Sequence, residues 1–209
     1  LLKLIFSHYM KTNNYFLNFL SSYHNIFLKV LWFELYYSIY FKELLPKIKI
    51  QNSSERTDTV PCVYYFLHEI SKFIKTKNIN SILDVGSGYG RVVNFINLKN
   101  NIKCYGIEYD KEVIKSALKF KKNKVNFYHG NVLTFNLKNL KTNCFILVDP
   151  FKKARDLRKF LDKIKKIFPG KKKYIILINV SKNKLSNEFK LIHSIIGSKT
   201  RTLNIFEFR

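Results

Sequence analysis

Two kinds of residue are scarce in this chain, and both gather at the ends of apolar runs. Three of its seven glycines fall within five residues, in Ile82-Leu83-Asp84-Val85-Gly86-Ser87-Gly88-Tyr89-Gly90. Glycines so spaced permit a tight strand-to-helix turn and let a ligand approach the backbone. Of only fourteen acidic residues, Asp84, Glu108 and Asp149 stand at or just beyond the carboxyl ends of such runs. On a chain of net charge +24, carboxylates collected in one cleft suit a ligand with cationic character or with hydroxyls to be accepted. Glu108, 18 residues beyond Gly90, is placed to take both hydroxyls of a ribose. The constellation implies a nucleoside-bearing cofactor.

The glycine spacing narrows the choice. GxGxG, with an aspartate two residues before its first glycine, departs from the GxGxxG of nicotinamide-binding folds. No GxxxxGK[ST] occurs, which excludes a phosphate cradle of the NTPase type. A carboxylate at position 84 would repel a pyrophosphate but can meet an α-ammonium group through water. The five histidines (His8, His24, His68, His129, His193) lack ligand spacing, so no metal is expected. His129, beside Gly130, is the one placed near the cleft. Cys62, Cys104 and Cys144 are scattered and form no CxxC pair, which points to a reducing cytoplasm.

These residues need elements to hold them. Segments 81–85, 103–107, 125–128, 144–148 and 174–180 read as short apolar strands. Helices are expected at 91–98 and from 111 to about 121. A third carries Leu157, Phe160, Leu161, Ile164 and Phe168 on one face and Lys152, Lys159, Lys163 and Lys166 on another, ending at Pro169-Gly170. Strands alternating with helices give an α/β fold: a doubly wound, mostly parallel sheet covered on both faces. Residues 189–196 and 203–208, around Gly197, read as a closing antiparallel hairpin. Ahead of the sheet, Pro61 predicts the first turn of a helix reaching about residue 75.

Residues 1–50 are expected to form an aromatic-rich helical extension and 51–209 the main domain, with Pro46 and the polar run 51–58 as the boundary. The apolar stretch 26–41 contains Lys29 and Glu34 and falls short of the about 20 residues a spanning helix needs. No small-residue cleavage site follows it, so it does not read as a signal peptide. Two readings of residues 1–45 stay open: helices packed on the main domain, or an interfacial helix lying on a membrane. The charge also reads two ways. Lysine supplies 32 of the 38 basic residues, which fits an A/T-rich coding bias as well as a basic surface that attracts anionic partners.

Residues 81–180 resemble the class I S-adenosylmethionine-dependent methyltransferases. The resemblance rests on Leu83-Asp84-Val85-Gly86-Ser87-Gly88-Tyr89-Gly90-Arg91, on Gly106-Ile107-Glu108-Tyr109-Asp110 and on Val148-Asp149-Pro150-Phe151. It implies a Rossmann-like sheet with S-adenosylmethionine as cofactor. Gly86, Ser87, Gly88 and Gly90 would pass under the methionine part, with Asp84 near its amino group. Glu108 would hold the ribose and Tyr109 would pack on the adenine. Asn131 stands where many members carry Asp after a Gly; as a plain turn residue it would need no ligand. Asp149 would orient an amine or take a hydroxyl proton, or else merely end a strand, while Phe151 would flank the methyl path. The segment 56–61 resembles a lead-in that closes over the cofactor. The acceptor expected first is an N or O group of a small molecule or cell-envelope component. The alternatives are an RNA or protein-lysine acceptor, for which no nucleic-acid motif speaks, and a binding protein that keeps the fold without catalysis.

Overall fold

Short apolar runs bounded by polar or glycine residues satisfy their backbone groups by pairing with one another inside the molecule. Here they build β1 (Ser81–Val85), β2 (Lys103–Glu108), β3 (Val125–His129), β4 (Cys144–Val148), β5 (Lys173–Ile178), β6 (Lys190–Ile196) and β7 (Thr202–Phe208). One sheet results, in the order β3-β2-β1-β4-β5-β7-β6. The first five strands pair with one another in parallel, and β7 lies antiparallel between β5 and β6. The structure is a computed structural model that describes residues 18–41, 48–49, 57–170, 172–180 and 185–209. The expected boundary lies mostly outside them.

Among the described residues, the helices that cover the sheet include α1 (Phe27–Phe41), α2 (Tyr64–Thr76), α3 (Arg91–Asn100), α4 (Lys111–Leu118) and α5 (Ala154–Ile167). Successive strand residues point to opposite faces, so the two faces have separate cores. Ile82, Ile146 and Ile176 share one with Val30, Ile70 and Val93 from α1, α2 and α3. Leu83, Phe145 and Leu177 share the other with Leu157, Phe160, Leu161 and Ile164 from α5. The central strands are buried on both faces, which is why they read as unbroken apolar runs. Asp84 breaks that rule on the first face, and it is buried.

Helix α4 ends at Leu118, short of the expected 121, and the ends of α2 and β5 differ for a tertiary reason. Helix α2 begins at Tyr64, three residues after Pro61, and no side chain of its own N-terminal residue caps it. The cap comes from α1: Glu34 Oε1 accepts the Tyr64 N–H at 2.6 Å. Strand β5 stops at Ile178 because Asn179 takes a left-handed φ of 60°. Its N–H then donates to the Thr202 carbonyl at 2.8 Å, which opens the hairpin.

Helix α1 packs on the main domain along one side. Tyr37 meets Phe95 at 4.9 Å and Tyr64 at 5.3 Å between ring centroids. Glu34, on the same side, is paired with Arg91 at 3.0 Å, with both side chains buried. Among the described residues no helix is long and apolar enough to cross a membrane.

Candidate active site

In an open α/β sheet, ligands bind outside the carboxyl ends of the strands, where the strand order reverses. Here the reversal falls between β1 and β4, and a cleft of about 360 Å³ opens there. That volume lies toward the low end for small-molecule sites. Asp84, Gly86, Ser87, Gly88, Glu108, Tyr109, Asn131 and Phe151 all line it. Gly90 sits behind them as the left-handed residue (φ 84°) that starts α3.

The glycine loop is built by close approaches. At Gly88 φ is +52°, and a Cβ there would stand 2.8 Å from Thr59 Cγ2. At Gly90 a Cβ would come within 2.5 Å of Phe127 Cζ. The loop is pinned to β2 by two amides, since Gly86 and Ser87 both donate to the Ile107 carbonyl, at 2.9 and 3.0 Å.

Glu108 completes the fixing. Its Oε2 accepts the Gly88 N–H at 2.8 Å and its Oε1 the Asp110 N–H at 2.9 Å. Two backbone donors orient the carboxylate, and its remaining lone pairs can accept hydroxyls from a ligand. Asp110 then caps α4, accepting from the Glu112 and Val113 amides at 3.0 and 3.2 Å. Its other oxygen holds Lys49 at 2.6 Å. Lys49 in turn exchanges two backbone hydrogen bonds with Thr59. The strap 57–61 is thereby tied over the glycine loop, and its residues line the cleft.

Asp84 stands apart from this network. It is 1 % exposed, and neither carboxylate oxygen has a hydrogen-bond partner among the described residues. Burial, with the nearby charge of Glu108 adding to it, holds its carboxyl well above the usual aspartate range. Ser87 Oγ is likewise buried without a partner among the described residues. Such groups are costly unless something satisfies them. A cationic ligand group reaching Asp84 would do so. An S-adenosylmethionine amino group suits this orphaned acid, and a ribose diol suits the oriented Glu108.

Asn131 lines the cleft while its Oδ1 accepts the Leu133 N–H at 2.9 Å, so it also forms the turn. His129 is exposed, and its Nε2 donates to the Tyr109 carbonyl at 3.1 Å. Asp149 is placed differently from expectation. It is exposed, adopts φ 43°, and does not line the cleft, whereas Val148, Pro150 and Phe151 do. The left-handed turn, which Asp tolerates better than most residues, presents the ring of Phe151 to the cleft in place of the carboxylate. Among the described residues no group of three His, Cys, Asp or Glu side chains could hold a metal.

Two residues of the site were not singled out from the sequence. Arg91 lines the cleft, stacks 4.2 Å over the Tyr64 ring and pairs with Glu34. A lone acid in an acid-poor apolar helix was the available signal, because a charge there must find a partner. The sequence sets Lys163 among the lysines on one face of α5. It reaches back and donates to the carbonyls of Val132, Leu133 and Phe135 at 2.9, 2.8 and 2.6 Å. It fastens the loop that follows Asn131.

Residues 76–208 match the family model described as a methyltransferase domain. Among solved structures, an RNA methyltransferase from Salinibacter ruber in complex with S-adenosyl-L-homocysteine aligns with TM-score 0.55 and 16 % identity. That alignment covers 71 % of this chain and 94 % of the other. A provisionally assigned caffeoyl-CoA O-methyltransferase from Staphylococcus aureus gives TM-score 0.56 and 16 % identity over 72 % of this chain and 86 % of that one. The mitomycin 7-O-methyltransferase gives 0.52 and 10 % over 68 % and 53 %. At these identities the likeness is one of fold. No curated protein sequence matches the chain.

Proposed function

The chain belongs to the methyltransferase-domain family, and we propose that it transfers a methyl group from S-adenosylmethionine to a nitrogen or oxygen of a small molecule or cell-envelope component. The observation that carries the cofactor part of this reading is Asp84, buried with no partner among the described residues, beside an oriented Glu108 and the glycine loop.

S-adenosylmethionine, when bound, supplies a methyl group activated on a sulfonium. The protein's part is mainly placement, which can supply several kcal/mol of a barrier (roughly 7–11 kcal/mol in the best-oriented cases). Asp84 is suited to the amino group, and Ser87 Oγ offers a further polar contact. Glu108 accepts the ribose hydroxyls. Tyr109 and Asn131 flank the position of the base. Gly86 and Gly88 keep the floor free of side chains, and Gly90 starts α3 behind them. Phe151 shields the mouth from water on the acceptor side. In-line displacement from a sulfonium needs no obligatory base. We read Asp149 as the residue that shapes the Phe151 turn, with proton acceptance a secondary role at the rim.

A macromolecular acceptor is the second reading, favoured by the +24 charge and by Lys153 and Arg155 at the cleft mouth. Salt separates the two, since binding through several RNA phosphates weakens steeply between low and moderate salt.

The test is calorimetric binding of S-adenosylmethionine to the wild type, Asp84→Asn and Glu108→Gln, each checked for a native melting transition. The expected result is micromolar affinity that falls at least about tenfold (1.4 kcal/mol) in both variants. Absence of binding to a well-folded wild type contradicts the reading.

A further inference from the structure

Helix α1 is apolar on both sides. Its inner side buries Val30 and Tyr37 in the core. Its outer side presents Leu28 (77 % exposed), Trp32 (67 %), Leu35, Tyr36, Ile39 (73 %) and Tyr40, every one more than half exposed. Positions 28, 32, 35 and 39 follow helical spacing and form one stripe. At 1.5 Å per residue the helix is about 22 Å long. A helix that is apolar all round belongs in a core, and six large apolar side chains on one face go beyond scattered surface residues.

The charges around this stripe point to what covers it. The outer side carries no acid, because Glu34 is turned inward to Arg91. Lysines stand at its two ends: Lys29 is 5.9 Å over the Tyr65 ring, and Lys99 is 4.9 and 5.7 Å over Tyr37 and Tyr40. Trp and Tyr, with an apolar body and a polar tip, prefer the water–lipid boundary. Lysine stems lie along apolar surface while the ammonium stays among polar headgroups. A second copy would bring another net +24 against the first, which opposes self-association. An anionic surface is attracted instead.

We propose that the outer face of α1 lies in the headgroup–acyl boundary of an anionic lipid bilayer and docks the enzyme there as a peripheral protein. The helix lies on the membrane rather than through it. This inference stands on the α1 surface alone and does not depend on the methyl-transfer reading.

Trp32 is the chain's one tryptophan and serves as the reporter. The full chain is titrated at physiological salt with vesicles of phosphatidylcholine, and separately with an equal mixture of phosphatidylcholine and phosphatidylglycerol. The expected result is a blue shift of Trp32 emission with the anionic vesicles, quenched when the acyl chains are brominated. The double variant Leu35→Ser/Ile39→Ser, exposed positions that leave the core intact, loses at least about tenfold in vesicle partitioning (1.4 kcal/mol). Its unfolding midpoint stays native.

Three results overturn the proposal. One is no shift with anionic vesicles. Another is vesicle binding that the double variant retains in full and that brominated chains do not quench, which is electrostatic adsorption of a basic protein. The third is Trp32 already blue-shifted and shielded from acrylamide without lipid. Sedimentation then tells coverage by a second copy from coverage by the chain itself.

Discussion

Two carboxylates lie on the same side of the sheet, both almost wholly buried, with Glu34 2 % and Asp84 1 % exposed. Their surroundings are opposite. Glu34 meets the Arg91 guanidinium at 3.0 Å and caps α2 through the Tyr64 amide at 2.6 Å. Asp84 has no partner among the described residues, and its pKa is pushed up by burial. A buried charge with its countercharge and hydrogen bonds in place belongs to the fold. A buried acid left without them marks the place of a ligand. The fold closes one site with its own residues and leaves the other for the cofactor.

Breaking the closed site should cost most. Glu34→Ala leaves Arg91 buried beside Tyr64 and removes the α2 cap, so we expect a loss of about 3–5 kcal/mol in urea unfolding. If the variant unfolds like the wild type, Glu34 does not clamp α1 to α2.

The open site should behave in the reverse manner. Asp84→Asn is expected to weaken S-adenosylmethionine binding at least about tenfold (1.4 kcal/mol) while stabilising the cofactor-free protein. The sign follows from linkage. Because the folded pKa of Asp84 lies above the unfolded one, its contribution to stability is fully present below the ordinary aspartate range. It is lost as pH rises toward the raised folded value. Asparagine removes that loss. Melting temperatures of the two proteins should therefore diverge as pH rises, with the variant the higher at neutral pH.

Gly88→Ala sharpens the role of the strap. A Cβ at φ +52° and 2.8 Å from Thr59 should cost about 1–2 kcal/mol and loosen segment 57–61, seen as faster proteolysis there. Lys163→Met keeps most of the stem but removes three hydrogen bonds to the loop after Asn131. Cofactor affinity should fall a few-fold, and amide exchange at 132–135 should rise. The smallest effect is expected for Asp149→Asn. Asparagine also tolerates a left-handed turn, so kcat should stay within about threefold, less than 1 kcal/mol. A drop of several hundredfold would make Asp149 a base after all.

What could be read in the sequence follows the same division. β1 and β4 lie where their apolar runs and flanking breakers put them, at Ser81–Val85 and Cys144–Val148. The glycine loop and Glu108 were legible because the turn and its acid are local to one βαβ unit. The α2 start was not, because its cap comes from Glu34, 30 residues away. Lys163 read only as one of the lysines on a face of α5, since nothing in α5 announces three carbonyls on a distant loop. Asp149 read as facing the cleft because sequence gives the strand end but not the handedness of the following turn. The outer stripe of α1 was visible only as an apolar segment; burial of Glu34 on its other side fixes which residues face out.

Burial holds the Asp84 carboxyl above the usual aspartate range until a cationic ligand arrives. Calorimetry of S-adenosylmethionine binding in buffers of differing ionisation enthalpy measures this directly. The prediction is proton release on binding to the wild type as pH is set above the ordinary aspartate range, absent in Asp84→Asn, whose affinity is also the weaker. Equal affinity and equal proton exchange in the two proteins would contradict it.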